Sequence, residues 1–427
     1  FLTLMKKIII FLMMLVPCAS MAQSGTNSPY SQYGLGLLSD QSTGFNRGMD
    51  GVALGMHESN QVNYLNPASY ARIDSLTFIF DVGMAGQITN FKEGSRKINA
   101  NNSNFEYAVA AFRALKNVGV SLGILPFTNI GYNYSSTNKV SSSTTYTTTY
   151  EGTGGLRMAY LGLGWMPVKG FSAGANIAYL WGSYNRNVTN AYSDSYANTI
   201  GRYYSADVTS YRLDVGVQYT QPLGKKDNIT IGATYTPGHA LGGSADMKEI
   251  STNSQTGVSD TTSYSYSRAL FIPTTFAAGM AWYHTTRWRV GLDYSLQKWS
   301  GHQFPDMRDG KYVLCDGTLQ DRQKVTLGGE FVNKALSRRY LDRVHVRAGV
   351  SYSTPYTKIN GRDGHKEISA SLGLGLPITN GWNNRSMVNI SAQWVQRSAD
   401  GLIRENAFRL NLGITFNERW FMKWKLE

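Results

Sequence analysis

The chain is poor in cysteine, in charge and in long apolar runs, and each shortage excludes a class of protein. Of 427 residues, only Cys18 and Cys315 are cysteines. Cys18 falls in a stretch that reads as a secretory signal over residues 1–22. Lys6 and Lys7 form its positive end, Ile8 to Val16 its apolar run, and Ser20-Met21-Ala22 a small-x-small cleavage site before Gln23. One cysteine then remains, which leaves no internal disulfide. The six histidines (His57, His239, His284, His302, His345 and His365) are scattered and match no zinc spacing, so no metal or other cofactor is expected. Past the signal no apolar run reaches the roughly 18 residues of a spanning helix.

Catalytic signatures are also missing. There is no Gly-x-Ser-x-Gly. Gly152-Thr-Gly-Gly155 is not followed by a Gly-Lys-Ser or Gly-Lys-Thr element, so it is no phosphate loop. The chain reads as a non-enzyme. Its net charge of +13 raises the question of nucleic acid. The basic residues are spread along an exported sequence, however, so nucleic acid is excluded. Anionic outer-membrane lipid and lipopolysaccharide are the expected counter-charges.

What the chain has is glycine, aromatics and alternation. It carries 44 Gly, 27 Tyr and 9 Trp, with only 16% charged residues and a mean hydropathy of −0.28. From Leu76 almost to the end, apolar residues recur at every second position. Phe408, Leu410, Leu412, Ile414 and Phe416 alternate with Arg409, Asn411, Gly413 and Thr415. Val344, Val346, Ala348, Val350 and Tyr352 alternate with His345, Arg347, Gly349 and Ser351. Runs of about 9 such residues suit a tilted strand crossing a bilayer, with aromatics at the ends of the runs as interfacial girdles. Asp214, Asp293, Glu330 and Glu367 then share the inner face with Arg212, Arg289 and Arg347 and are expected to neutralise one another there.

The segments number about fourteen, and their connections alternate between short and long. Short turns on the periplasmic side and long outer loops are the habit of bacterial barrels. The reading is therefore all-β, a transmembrane antiparallel barrel of about 14 strands with an N-terminal hatch, in the outer membrane of a Gram-negative bacterium. Residues 23–75 would form the hatch, 76–417 the barrel, and 418–427 an aromatic-basic tail. Strands are expected at 103–115, 228–246, 262–285 and 311–333, among others.

Gly44-Phe-Asn-Arg-Gly48, Gly51-Val-Ala-Leu-Gly55 and Asn66-Pro67-Ala68 before the first strand resemble the start of the FadL long-chain fatty acid transporter family. That resemblance implies a hatch ending near Asn66, Pro67 and Ala68, at which ligand is held. It also implies a third strand kinked inward to make a side opening; Gly123, Pro126 and Gly131 stand where that kink falls. Proline cannot donate to a ladder, so Pro126 marks a bulge or break in any case. Backbone left unpaired in lipid must be covered, and hatch residues around Asn66-Pro67-Ala68 are expected to cover it. The implied function is passive uptake of hydrophobic compounds such as long-chain fatty acids. The alternative is an accessory barrel with protein partners in an outer-membrane secretion or barrel-assembly complex.

Overall fold

The computed structural model describes residues 25–141, 144–378 and 386–419. Its wall is one closed antiparallel barrel of fourteen staves. In chain order the strands are β1 (Leu37–Leu38), β2 (Thr77–Glu93), β3 (Arg96–Leu115), β4 (Val118–Pro126), β5 (Thr128–Lys139), β6 (Thr145–Val168), β7 (Phe171–Tyr192) and β8 (Thr199–Leu223). They continue with β9 (Asp227–Thr236), β10 (His239–Ala240), β11 (Gly243–Thr252), β12 (Ser259–Ser267), β13 (Phe271–Ile272), β14 (Thr274–His284), β15 (Trp288–Lys298), β16 (Phe304–Arg308) and β17 (Lys311–Cys315). The last are β18 (Arg322–Val332), β19 (His345–Ser353), β20 (Lys358–Ile359), β21 (Arg362–Asp363), β22 (Lys366–Ile378), β23 (Ser386–Ser398) and β24 (Arg404–Arg419). β4 and β5 together make the third stave. β24 pairs with β2 from Thr77↔Arg419 to Lys92↔Arg404, which closes the ring.

The alternation decides which face meets lipid. On β24, Phe408 and Leu410 are exposed while Asn411, Thr415 and Asn417 are buried. Most of the inner charges pair: Arg212 with Asp214 at 2.9 Å, Arg347 with Glu330 at 2.6 Å, Arg289 with Glu330, and Glu367 with Arg397 at 2.6 Å, whereas Asp293 accepts two hatch amides instead. An arginine in place of outward Leu412 is expected to cost about 2–4 kcal/mol near the midplane. Denaturant unfolding in lipid vesicles measures it, and a change under 1 kcal/mol would disprove the register. Inward Asn411 is no neutral comparison, because its side chain holds Arg47 at 3.2 Å and Ser391 at 3.2 Å.

Several strand limits differ from the sequence expectation. β9 ends at Thr236 rather than 246, and β14 starts at Thr274 rather than 262. Pro237 and Pro273 lack the N–H that a continuous ladder needs. Between them, β11 leaves the wall and pairs with the outer half of β8 and with β12. β18 likewise starts at Arg322, because Lys311–Cys315 folds back on Phe304–Arg308 as a separate outer hairpin. β3 begins at Arg96 rather than 103: its Asn-rich start is weak in strand propensity, but the register with β2 carries it. The last strand reaches Arg419. The signal at 1–22 and residues 420–427 of the tail lie outside the described residues.

β6, β7 and β8 are 24, 22 and 25 residues long, about twice what a bilayer requires. Their outward apolar positions stop near Leu161, Tyr179 and Tyr211. Beyond these the outward residues are mostly polar, among them Thr149, Glu151, Ser183, Asn185 and Asp207, with Tyr203 an exposed aromatic beside them. The surplus lengths continue as an outer sheet, β5-β6-β7-β8-β11-β12.

Candidate functional site

Residues 25–76 precede the first wall strand and pack inside the barrel. This hatch is almost wholly buried, from Tyr30 and Leu35 to Tyr70 and Ile73. Its turns come from the residue types the sequence supplies. Ser28 caps the 3-10 turn Pro29–Gln32, and Asn66 caps Pro67–Arg72, its Oδ1 accepting from the Ala68 amide at 3.1 Å. Each cap is followed by a proline, whose missing N–H is no loss in a first turn.

Glycines on the lumen face make room for this segment. A Cβ on Gly119 would stand 1.9 Å from the Tyr70 carbonyl oxygen, and one on Gly232 would stand 1.8 Å from that of Leu54. A Cβ on Gly174, Gly328 or Gly349 would meet the backbone of Pro67 or Met49 at 2.3–2.5 Å, and one on Gly216 the Asn66 side chain at 2.3 Å. No Cβ tolerates such distances, so hatch backbone and wall backbone lie in direct contact around the ring.

Polar side chains pin the hatch at the same level. Arg47 meets Glu106 at 2.8 Å and donates to the Ser42 and Asp40 carbonyls. Asp293 accepts the Ala53 and Leu54 amides at 2.6 and 2.9 Å. Asp50 accepts from Ser369 at 2.5 Å and Gln393 at 2.7 Å. Gln218 donates to the carbonyls of Leu54 and Met56. None of these pins was singled out from sequence as a hatch contact, since each bond from hatch to wall joins residues far apart in the chain.

The third stave is interrupted. β4 pairs with β3 from Ala108 to Leu115 and ends at Pro126. β5 pairs with β6 from Ile130 to Lys139, and its partner on the other side is β1 of the hatch, not β3. A seam therefore separates the outer half of β3 from β5. Hatch residues close to the seam take up its bonding groups: Leu37↔Asn129 and Leu38↔Thr128 pair as strands, and the Ser39 amide donates to the Phe127 carbonyl at 3.0 Å. The Gly131 amide donates to Ser31 Oγ at 3.1 Å, and Asn104 donates to the Gly25 carbonyl at 2.6 Å.

Of the residues named from sequence, Pro126 and Gly131 stand at this seam. Gly123 does not. It lies between Val109 of β3 and Tyr160 of β6 in the paired part of the wall, where a Cβ would meet the Ala108 carbonyl oxygen at 2.5 Å. A larger residue there would push β3 and β4 apart rather than fill the seam. Asn66, Pro67 and Ala68 are also elsewhere, with Asn66 and Pro67 against β6, β7 and β8. The seam is covered instead by Gly25 to Ser39, a segment whose Gly- and Ser-rich sequence shows no periodicity to mark it.

Between hatch and wall lies a cavity of about 190 Å³, where the charged side chains of Arg212, Asp293 and Lys324 mix with apolar ones such as Leu38, Leu54 and Leu65. About 150 Å³ suffices for benzene in an apolar cavity, but this lining is mixed. No group of His, Cys, Asp or Glu suited to a metal ion occurs among the described residues.

Among solved structures, the toluene transporter TodX of P. putida is 13% identical over 90% of this chain and 100% of its own, with a TM-score of 0.62. A FadL homologue of Pseudomonas aeruginosa is 13% identical over 89% and 99%, at 0.61. The toluene transporter TbuX of Ralstonia pickettii is 13% identical over 90% and 99%, at 0.60. At such identities these proteins share the fold, and the likeness to FadL proteins is a likeness of architecture. No curated protein matches the chain. The model of one family, BamG, matches residues 4–427, nearly the whole length. A hatch-filled outer-membrane barrel of fourteen staves, matched end to end in sequence by that one model, belongs to the BamG family.

Proposed function

We propose that this protein is a sealed, non-enzymatic barrel that serves as an accessory subunit of an outer-membrane protein assembly complex. The observation that carries this reading is the joint between hatch and wall. Glycine-made contacts run around the ring, buried ion pairs and carboxylates lock the hatch, and the cavity beside it holds charged side chains. An acyl chain gains about 0.8 kcal/mol per CH₂ by leaving water, and it gains less in a cavity whose lining carries buried charges.

The outer sheet supports the same reading. Among the described residues β12 pairs only with β11, which leaves its far edge over nine residues, Ser259–Ser267, without a strand partner and without a lysine or proline to block pairing. Proteins normally protect such edges, and a docked partner is one protection. The family name, BamG, points the same way.

A second reading has its own observation. The break at Pro126 and Phe127 leaves a seam in the wall, and barrels of this fold include toluene transporters. On that reading the protein passes a hydrophobic compound sideways into the membrane. Asn104, Asn129 and the Gly25 backbone put polar groups at the seam beside Leu37 and Leu38, which disfavours it.

Two measurements separate the readings. Purification from the native membrane in mild detergent is expected to yield one stoichiometric outer-membrane protein partner. Cells lacking the protein are expected to take up labelled fatty acid and toluene at the parental rate. A monomer carrying bound lipid, together with slowed uptake, would overturn the accessory role.

A further inference from the structure

The charge that looks dispersed in the sequence is sorted by the fold. Five described connections lie at the short-turn end: Arg113 to Val118, Met166 to Phe171, Leu223 to Asp227, His284 to Trp288 and Asn333 to Val344. They contain ten basic residues (Arg113, Lys116, Lys169, Lys225, Lys226, Arg287, Lys334, Arg338, Arg339 and Arg343) and two carboxylates, Asp227 and Asp342. The two longest outer connections, Pro237 to Pro273 and Trp299 to Asp321, contain four basic and seven acidic residues. The excess positive charge therefore sits at the periplasmic end, the opposite of what a lipopolysaccharide-facing surplus would give.

The two carboxylates are already engaged. Asp227 binds His284 at 2.7 Å and the Trp282 indole at 3.1 Å. Asp342 accepts from Ser337 and Asn333, both at 2.8 Å, and its carbonyl accepts the Lys334 amide. Those side-chain bonds hold its carboxyl below the usual range. Lys116, Lys169, Lys225, Lys226, Arg287, Lys334, Arg338 and Arg339 are all exposed.

Their height relative to the bilayer follows from the aromatics beside them. Trp165 precedes Lys169 by one short turn, Trp288 adjoins Arg287, and Trp282 is bonded to the Asp227 turn; all three rings are exposed outward. Outward Trp at a strand end marks the membrane interface, which puts the turns just beyond at headgroup level. The Asn333 to Val344 loop adds Leu336, 95% exposed, and Leu341, 79% exposed.

We propose that the periplasmic rim is a collar for anionic phospholipid headgroups, with Leu336 and Leu341 anchoring its longest turn in the interface. The distribution selects lipid over protein: basic residues occur in every described turn around the circumference, whereas one protein partner needs a patch on one side. Clusters of this kind hold anionic lipid through charge that salt screens.

The test uses the full chain in nanodiscs of phosphatidylethanolamine, with or without one-quarter phosphatidylglycerol. The parent is expected to melt several degrees higher with phosphatidylglycerol, and 0.5 M salt is expected to remove most of the difference. Lys225→Gln, Lys226→Gln, Arg338→Gln and Arg339→Gln together should cut the difference to less than half. Lys248→Gln, Arg308→Gln, Lys311→Gln and Arg362→Gln change net charge equally at the other end and should leave it intact. Native mass spectrometry should show retained phosphatidylglycerol falling several-fold in the first variant only. Heat-modifiable migration on gels verifies that both variants fold. Equal melting in both lipids, or equal loss in both variants, would overturn the proposal.

Discussion

Replacing Gly232 by leucine is expected to dislodge the hatch and destabilise the barrel by about 3 kcal/mol, at or beyond the upper end of ordinary overpacking. A Cβ at this position falls 1.8 Å from the Leu54 carbonyl oxygen and 2.6 Å from its carbon. The hatch cannot swing aside there, because the same carbonyl accepts from Gln218 and Asn66, both at 2.8 Å. β15 adds a further hold, its Asp293 fixing the Leu54 amide at 2.9 Å. Gly86 is the matched control: it lies on β2 with nothing within 4 Å of a Cβ. Leucine there should be nearly silent. Midpoints of heat-modifiable migration, with protease sensitivity of the N-terminal segment, give the comparison. Similar midpoints for the two variants would mean that the ring of contacts does not hold the hatch.

Arg47→Met is expected to have the other large effect. Arg47 and Glu106 are both buried, and the guanidinium also binds Asn411 and two hatch carbonyls. Removing one partner of a buried pair typically costs about 3–5 kcal/mol, because the other charge stays behind unpaired. The variant should therefore loosen the hatch and admit ions, seen as new conductance in planar bilayers. Adding Glu106→Gln removes the stranded charge and should restore much of the stability and the closed state. A single variant as stable and as silent as the parent would show that the pair is no pin. A double variant worse than the single would show that the cost lies in packing, not charge.

The class of this protein was legible because it rests on local periodicity. Alternation at Val346 to Tyr352 and Phe408 to Phe416 sets which side chains face lipid, and parity is a property of consecutive residues. The inner pairing of Arg212 with Asp214 and of Arg347 with Glu330 was legible for the same reason: both partners fall on one face. Strand limits were less so. Only the pairing of β11 with β8 shows that Gly243–Thr252 leaves the wall, although Pro237 and Pro273 were visible signals. The hatch was legible as a segment without periodicity, but not in its contacts.

By itself, the sequence determined a barrel of alternating strands, a proline break in the third stave, and a non-periodic N-terminal segment ending near Asn66-Pro67-Ala68. Tertiary structure alone decided what seals the break, which glycines serve as contact points, and where the positive charge lies. Leu37 meets Asn129, Gly232 meets Leu54, and Lys116, Lys225 and Arg338 share one rim. Such pairings join residues tens to hundreds of positions apart. They follow from closure of the ring, which brings every second connection to the same end, and no local pattern in the chain encodes that closure.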